Sequence, residues 1–218
     1  MAQGPRWFGM AGRLTLGLYN SYDPRRFFEA HRRALARAAP LALAFGANVA
    51  TFGFPFDDLA AHGGRTVENR GKGGGDKRGQ GGEEVKLATP LDVAQFVARS
   101  TSVSSEAEPL VELARAGRFN VFDLPKRGFP PQLGVVVLTT EHAKRPRATS
   151  ARAVARDLVD GKSHLLVFGL GPHGTPPEVR DVAQWEFDVT GKNVGLETAT
   201  AMGAVVAAVA AHVETLSG

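Results

Sequence analysis

The stretch HLLVFGLGPHGTPPEV, residues 164–179, decides the fold, because an apolar run leads directly into three glycines. Gly169, Gly171 and Gly174 have the G-x-G-x-x-G spacing that is typical of a dinucleotide-binding turn. The apolar run is typical of a strand that is buried on both faces. Glycines at the end of such a strand either permit a tight turn or let the backbone approach a ligand closely. We expect a ligand-binding loop here, at the carboxyl end of a parallel strand.

The residues after these glycines disagree with a dinucleotide-binding domain. Such a domain needs a full-length helix after the turn and an acidic residue about 20 positions further on. Here PPEVRDVA allows barely two helical turns before Trp185, and Asp188 follows Gly174 by only 14 residues. A nicotinamide-dependent (NAD) enzyme therefore remains a minor alternative.

Hydrophobic periodicity predicts alternating strands and helices along the chain. We expect strands at 13–20, 41–55, 119–124, 133–140, 163–171 and 185–191. We expect helices at 24–39, 89–99, 104–117, 150–161 and 196–216, the first of them capped by Asp23 with Pro24 at its first position. This alternation predicts a single α/β domain over residues 1–218, with a mostly parallel sheet layered with helices.

The bulk composition excludes several classes of protein. The chain has no cysteine, and its six histidines lack the spacing of metal ligands, so no metal site is predicted. The N-terminus has no signal-peptide pattern, and no run of about 18 apolar residues is visible. We expect a cytoplasmic protein that does not span a membrane.

Basic residues indicate a nucleic-acid partner. The net charge is +4, with a pI of about 9.7, which permits nucleic-acid binding. Residues 63–82 contain nine glycines and five basic residues, which predicts a flexible basic insertion at about 63–86. A phosphate-binding P-loop is excluded, because Asp76 precedes Lys77 and Arg78 follows it. The insertion either contacts RNA or is inert.

Two C-terminal stretches carry a family resemblance. FGLGPHGTPPEV (168–179) and FDVTGKNVGLETATAMGAVV (187–206) resemble the C-terminal half of SPOUT (α/β-knot) methyltransferases. The resemblance implies a C-terminal trefoil knot, a site for S-adenosyl-L-methionine (SAM) and a homodimer. Residues 19–40 and 44–57 also resemble an uncharacterised archaeal family placed near SPOUT proteins.

The resemblance implies a set of cofactor-binding residues in three loops. These are Leu138, Thr139, Thr140, Gly169, Leu170, Gly171, Pro172, His173, Gly174, Asp188, Val189, Thr190, Gly195, Leu196 and Thr198. His173 is also a candidate proton acceptor, or else an exposed loop histidine. Asp188 either binds ribose or pairs with a neighbour.

Catalytic residues are implied less directly. Asn20, Pro24 and Arg32 keep a spacing found in SPOUT ribose methyltransferases, but Arg26 and Phe27 replace the Asn-Gly or Asn-Ser pair of that pattern. Asn20, Arg32 and Glu197 are the catalytic candidates. Glu197 is equally explained as an acid at a helix N-terminus, where the dipole favours negative charge.

The function predicted from these features is a SAM-dependent RNA methyltransferase acting on tRNA or rRNA. The alternative is a non-catalytic RNA-binding protein with a SPOUT-like fold. The RNA-binding candidates are the basic residues Arg25, Arg26, Arg33, Arg65, Arg70, Lys72, Lys77 and Arg78. The helix at 197–216 carries small apolar residues on nearly every side, so either the core or a second subunit must cover it.

Overall fold

The computed structural model describes residues 10–22, 27–56, 89–103, 107–171 and 174–218. The strands are β1 (Leu14–Tyr19), β2 (Asn48–Phe52), β3 (Phe119–Phe122), β4 (Val135–Thr139), β5 (His164–Gly169) and β6 (Trp185–Phe187). The helices are α1 (Glu29–Ala44), α2 (Pro90–Ser100), α3 (Glu108–Arg115), α4 (Ala151–Val159), α5 (Pro177–Val182) and α6 (Thr198–Ser217). The predicted insertion at 63–86 lies outside the described residues.

The six strands form one sheet in the order β3-β2-β1-β5-β4-β6, and every pairing is parallel. The predicted α/β fold with a mostly parallel sheet is confirmed. The chain runs outward from β1 to β2 and β3 on one side, whereas β4, β5 and β6 lie on the other. Ligands of open parallel sheets bind at the carboxyl ends of the strands beside such a reversal. The trefoil knot stays a prediction.

Side-chain alternation along the strands divides the core between the two faces of the sheet. In β5, Leu166 and Phe168 pack in a large cluster with α1, α2, α3, α4 and α6. Leu165 and Val167 point to the other face, in a smaller cluster that Phe129 and α5 help to cover. The long helices therefore lie on one face, and the short α5 lies on the other.

The bounds of α1 differ from the prediction at both ends. The helix begins at Glu29 rather than near residue 24, because His31 Nδ1 accepts the backbone N–H of Phe28 at 3.0 Å and satisfies a donor at the helix start. Asp23 and Pro24 lie outside the described residues. The helix continues through Pro40 to Ala44, so the next strand begins at Asn48 and not at residue 41.

One helix among the described residues, α6, is long and apolar enough to cross a membrane by length and composition alone. An 18-residue window of α6 has a mean hydropathy of 1.5, so its length and composition meet that criterion. Its apolar residues nevertheless serve the core, since Met202, Val205, Val206, Val209 and Val213 are buried. A buried core helix of this composition meets the same criterion of length and mean hydropathy.

Candidate functional site

A cavity of about 610 Å³ lies at the carboxyl ends of β4, β5 and β6. It lies where the reversal of strand order predicts a ligand site. Eleven of the predicted site residues line it: Thr139, Thr140, Gly169, Leu170, Gly171, Gly174, Asp188, Val189, Leu196, Glu197 and Thr198. The three predicted loops therefore come together around one cavity.

The three glycines after β5 are needed for separate reasons. A Cβ on Gly169 would lie 3.0 Å from the carbonyl carbon of Gly174. A Cβ on Gly171 would lie 2.6 Å from the carbonyl oxygen of Ser21, whose hydroxyl accepts the N–H of Gly171 at 2.8 Å. Gly174 has a φ of 66°, which favours glycine. The turn thus packs tightly onto the segment after β1. Pro172 and His173 lie outside the described residues.

Asp188 organises the loop after β6. Its Oδ1 accepts the backbone N–H of Thr190 at 2.9 Å and the Thr190 hydroxyl at 2.6 Å, and its Oδ2 accepts the N–H of Asn193 at 3.0 Å. Partial burial tends to raise the pKa of Asp188, but these hydrogen bonds outweigh it and lower the pKa below its ordinary value. Thr190 does not line the cavity, but its two hydrogen bonds to Asp188 help to fix the conformation of the loop.

Glu197 is both a helix cap and part of the cavity wall. Its Oε2 accepts the N–H groups of Ala199 at 2.9 Å and Thr200 at 3.2 Å, so it satisfies two donors at the start of α6. The adjacent Thr198 hydroxyl donates to the Gly169 carbonyl oxygen at 3.1 Å. This bond ties the start of α6 to the glycine turn.

The end of β4 supplies the third wall. The Thr139 hydroxyl donates to the Val167 carbonyl oxygen at 2.8 Å. Leu138 is fully buried and does not reach the cavity. Gly195 is not part of the lining either, but a Cβ there would overlap the carboxylate of Glu141, so this glycine lets the two loops approach.

Several residues lining the cavity were missed by the sequence analysis. The polar ones are Tyr22, Glu141, His142, Thr175 and Arg180. Glu141 and His142 directly follow a predicted strand end, so their position in the chain was a usable signal. Tyr22 and Arg180 had none, since they reach the cavity from the segment after β1 and from α5.

Arg180 is held by a buried carboxylate. Glu186 in β6 is fully buried, and its Oε1 lies 3.6 Å from Arg180 Nη1 and 3.1 Å from Arg147 Nη2. Its Oε2 accepts the backbone N–H of Lys144 at 2.7 Å. A buried charge with this many partners keeps the surrounding chain in one arrangement.

Asn20 is buried beside the cavity, and its amide is occupied. Its Nδ2 donates to the Gly53 carbonyl oxygen at 2.8 Å, and its Oδ1 accepts the Tyr22 N–H at 3.0 Å. Oδ1 also lies 2.8 Å from His31 Nε2, which carries the ring proton because Nδ1 accepts from Phe28. Burial lowers the pKa of His31 to about 4. Asn20 does not line the cavity, but its hydrogen bond to the backbone of Tyr22 holds that residue, which does line it.

Arg32 and Arg33 lie away from the cavity, on α1. Arg32 Nη2 pairs with Glu29 Oε2 at 2.7 Å, and Arg33 Nε lies 3.3 Å from Glu29 Oε1. Glu29 also accepts the Ser102 N–H at 2.9 Å and its hydroxyl at 2.8 Å, so it joins α1 to the end of α2. The remaining RNA-binding candidates lie outside the described residues: Arg25, Arg26, Arg65, Arg70, Lys72, Lys77 and Arg78.

Within the described ranges, no group of three or more histidine, aspartate or glutamate side chains could hold a metal ion. The described side chains bring carboxylates, hydroxyls, the imidazole of His142 and the guanidinium of Arg180 to the cavity.

Comparison with known sequences identifies one family. The family model described as a protein of unknown function (DUF531) matches residues 14–210. Uncharacterized protein MJ0224 of Methanocaldococcus jannaschii is 32% identical over 197 residues, which cover 90% of this chain and 93% of that protein.

Comparison with solved structures identifies the fold. A probable methyltransferase from Bordetella pertussis superposes with a TM-score of 0.53 over 93% of this chain and 97% of its own, at 14% identity. A probable methylase family protein from Haemophilus influenzae gives a TM-score of 0.52 over 94% of this chain and 68% of its own, at 13% identity. The predicted SPOUT-like fold is confirmed.

Proposed function

The chain belongs to the DUF531 family of proteins of unknown function, and we propose that it is a SAM-dependent methyltransferase acting on RNA. The observation that carries the proposal is the cavity at the ends of β4, β5 and β6. There the tightly packed glycine turn, the Asp188 loop and the start of α6 converge. Methylase family proteins share the fold.

The residues present fit SAM. A volume of about 610 Å³ lies within the ordinary range of small-molecule sites. The wall combines apolar side chains such as Leu170 and Val189 with exposed backbone, which can recognise an adenine edge. The carboxylates of Glu141, Asp188 and Glu197 favour a ligand that carries positive charge. When bound, SAM would supply a methyl group that a nitrogen or oxygen nucleophile attacks in line, while the bond to the sulfonium sulfur breaks and the neutral thioether S-adenosylhomocysteine leaves.

The chain's own task is to position the acceptor and to accept or tolerate a proton. Glu141 and Glu197 are suited to this, because each lines the cavity with a carboxylate that is not fully used elsewhere. Among the described residues, both side-chain hydrogen bonds of Glu197 go to Oε2, and Glu141 has one partner, the imidazole of His142 at 3.5 Å. We assign Asn20 a positioning role, through Tyr22. A catalytic role for Arg32 stays a prediction, since its guanidinium pairs with Glu29.

RNA is the proposed acceptor because basic residues exceed acidic ones by four, and 19 of the 26 basic residues are arginine. Arginine binds phosphate in a bidentate manner. The predicted contacts of Arg25, Arg26, Arg33 and the basic insertion belong to this proposal. The proposal also includes a cytoplasmic location, because tRNA and rRNA are found there.

Two alternatives remain. A non-catalytic RNA-binding protein is favoured by Asn20, whose side chain is buried and whose Oδ1 is already shared by Tyr22 and His31. An NAD-dependent enzyme is disfavoured by α5, which has only six residues where a dinucleotide-binding turn would need a long helix.

A homodimer is the final part of the proposal. The outer side of α6 carries the exposed alanines Ala207 and Ala211, opposite its buried valines. Small residues allow two helices to approach closely, and covering them removes apolar surface from water. A second copy of the chain is the occupant we propose.

Calorimetric titration of the full chain with SAM, with NAD as the control ligand, tests the cofactor. We expect saturable SAM binding that Gly171→Ala weakens and Gly203→Ala does not, because a Cβ at Gly203 meets nothing within 4 Å. Absence of SAM binding at millimolar ligand would contradict the proposal, and NAD binding would favour the NAD-dependent enzyme.

Transfer of labelled methyl from SAM to transcribed tRNA and rRNA fragments tests the reaction. Incorporation that Glu141→Gln or Glu197→Gln lowers at least tenfold, with SAM binding retained, supports catalysis by these carboxylates. SAM and RNA binding without incorporation would favour the non-catalytic alternative.

A further inference from the structure

A second cavity, of about 780 Å³, lies at the amino ends of β5 and β6, whereas the first lies at their carboxyl ends. His164 and Trp185, the first residues of β5 and β6, line it together with the start of α4 and the segment 145–150. None of its lining residues belongs to the first cavity. Along β5, His164 of the second cavity and Phe168 of the first are four residues apart, a rise of roughly 13 Å. Along β6, Trp185 and Phe187 are only two residues apart, a rise of roughly 7 Å.

His164 gives this cavity an unsatisfied hydrogen-bond acceptor. The side chain is 1% exposed, and its Nε2 lies 3.2 Å from Asp157 Oδ2. Asp157 is also paired with Lys162 Nζ at 2.8 Å, and this contact lowers the pKa of the carboxyl, which is therefore ionised. An ionised carboxylate requires the ring proton on Nε2, and burial lowers the pKa of His164, so the ring is neutral.

The other ring nitrogen of His164, Nδ1, is then a lone-pair acceptor. It is buried and has no partner among the described residues. Leaving such an acceptor unsatisfied is costly, so native proteins supply a donor. The donor that fits here is an N–H or O–H group of a molecule in the cavity.

Trp185 and two arginines specify the rest of the ligand. The Trp185 side chain is 40% exposed, so one of the largest apolar side chains faces solvent at the cavity wall. Arg145 and Arg156 line the same cavity and are exposed, and neither guanidinium forms an ion pair or hydrogen bond with another described residue. An open aromatic surface beside unpaired guanidinium groups is how proteins bind single-stranded nucleic acid.

We propose that this second cavity binds one nucleotide of a single-stranded segment of the RNA substrate. The base stacks on Trp185, Arg145 and Arg156 contact its phosphates, and a base amine or the ribose 2′-hydroxyl donates to His164 Nδ1. The site rests on the proposed function for its RNA, but not on the methyl transfer. It anchors the strand near the reacting nucleotide, at the other end of β5 and β6.

Tryptophan fluorescence of the full chain tests the site directly. The chain has two tryptophans, and Trp7→Phe leaves Trp185 as the only one. We expect a ten-nucleotide single-stranded RNA to quench Trp185 saturably through stacking. The double variant Arg145→Ala/Arg156→Ala should weaken RNA binding at least tenfold, because it removes both guanidinium groups that contact the phosphates. Both positions are exposed, so the substitutions should leave the fold unchanged.

A matched pair at His164 isolates the unsatisfied nitrogen. His164→Asn places an amide oxygen near the position of Nδ1 and keeps the acceptor. His164→Gln keeps a donor toward Asp157 but loses the acceptor. We expect His164→Gln to weaken RNA binding several-fold more than His164→Asn. Equal effects would mean that an ordered water alone satisfies Nδ1.

SAM calorimetry on the same variants separates the two proposals. Weakened RNA binding with unchanged SAM binding supports the second site. RNA binding that no variant affects overturns the second site and leaves the proposed function standing. Absence of Trp185 quenching also overturns it, and a site for a protein partner would then be the better reading. If the unsubstituted chain does not bind SAM, the proposed function is contradicted instead.

Discussion

At the scale of single residues, His31 shows how burial turns a titratable side chain into a fixed hydrogen-bonding group. The ring accepts from Phe28 and lies 2.8 Å from Asn20 Oδ1, so both nitrogens are used and the tautomer is determined. Phe27 stacks on the ring with centroids 5.5 Å apart. The result is a rigid corner between β1 and α1 that holds Tyr22 at the cavity.

This corner predicts an acid-sensitive fold. The pKa of His31 is about 4 in the folded protein and 6.5 ordinarily, so the unfolded chain binds a proton that the folded chain does not. Stability is therefore lost as the pH falls from about 6.5 to about 4, by about 3 kcal/mol over that window. Urea unfolding at pH 7 and at pH 4.5 should show a smaller loss in His31→Gln than in the parent. An equal loss in both proteins would contradict a neutral buried His31.

A second residue-scale prediction concerns Gly171. An added Cβ would collide with the backbone of Ser21, which cannot yield as a flexible side chain would. We expect Gly171→Ala to lower the free energy of unfolding by about 1–3 kcal/mol. The matched change Gly203→Ala should raise it by about 0.5–1 kcal/mol, because open space surrounds that position within a helix. Thermal unfolding of both variants checks the pair, and a neutral Gly171→Ala would refute the close approach.

At the scale of elements, the start of α6 connects helix formation to the cavity. Glu197 caps the helix with its side chain, and Thr198 bonds back to the glycine turn. The cap and the cavity wall are therefore the same residues. A substitution at Glu197 must be examined for stability before any loss of activity is interpreted as chemistry.

We expect Glu197→Ala to lower the free energy of unfolding by about 1 kcal/mol, because two N–H groups lose their acceptor. Glu214→Ala, at an exposed position near the other end of α6, is the control and should have little effect. Denaturant titration measures both. If the two variants unfold alike, Glu197 does not cap the helix in solution.

At the scale of the whole molecule, the reversal of strand order brings distant segments to one cavity. The segments after β1, β4, β5 and β6 all contribute to its wall. The outer side of α6 is left on the surface, with alanines where a solvent-facing helix ordinarily carries charges. This exposed apolar stripe is the structural reason to expect a second subunit.

The dimer prediction is tested by charge placed on that stripe. We expect Ala207→Glu to shift the molar mass in light scattering from twice 23.1 kDa toward 23.1 kDa, since a buried unpaired carboxylate is costly. The same change at Ala116, exposed at the end of α3, should leave the mass unchanged. A parent protein with the mass of one chain would refute the dimer outright.

What the sequence by itself determined follows from local patterns. Apolar runs predicted a strand at each of the six observed positions, although the second prediction also included the last turn of α1. Ser150 correctly predicted the start of α4. Gly169 and Gly174, which the glycine motif singled out, line the cavity. The predicted bounds of α1, 24–39, were wrong, because the helix begins at Glu29 and continues through Pro40 to Ala44.

Only the tertiary structure decided which distant residues meet. Ser21 and Gly171 are 150 positions apart, yet they share a hydrogen bond because β1 and β5 lie side by side in the sheet. The buried Asn20–His31 pair, Arg180 at the first cavity and Trp185 at the second have no local signature. Strand order sets such neighbours, and that order depends on packing over the whole chain rather than on any short stretch of it.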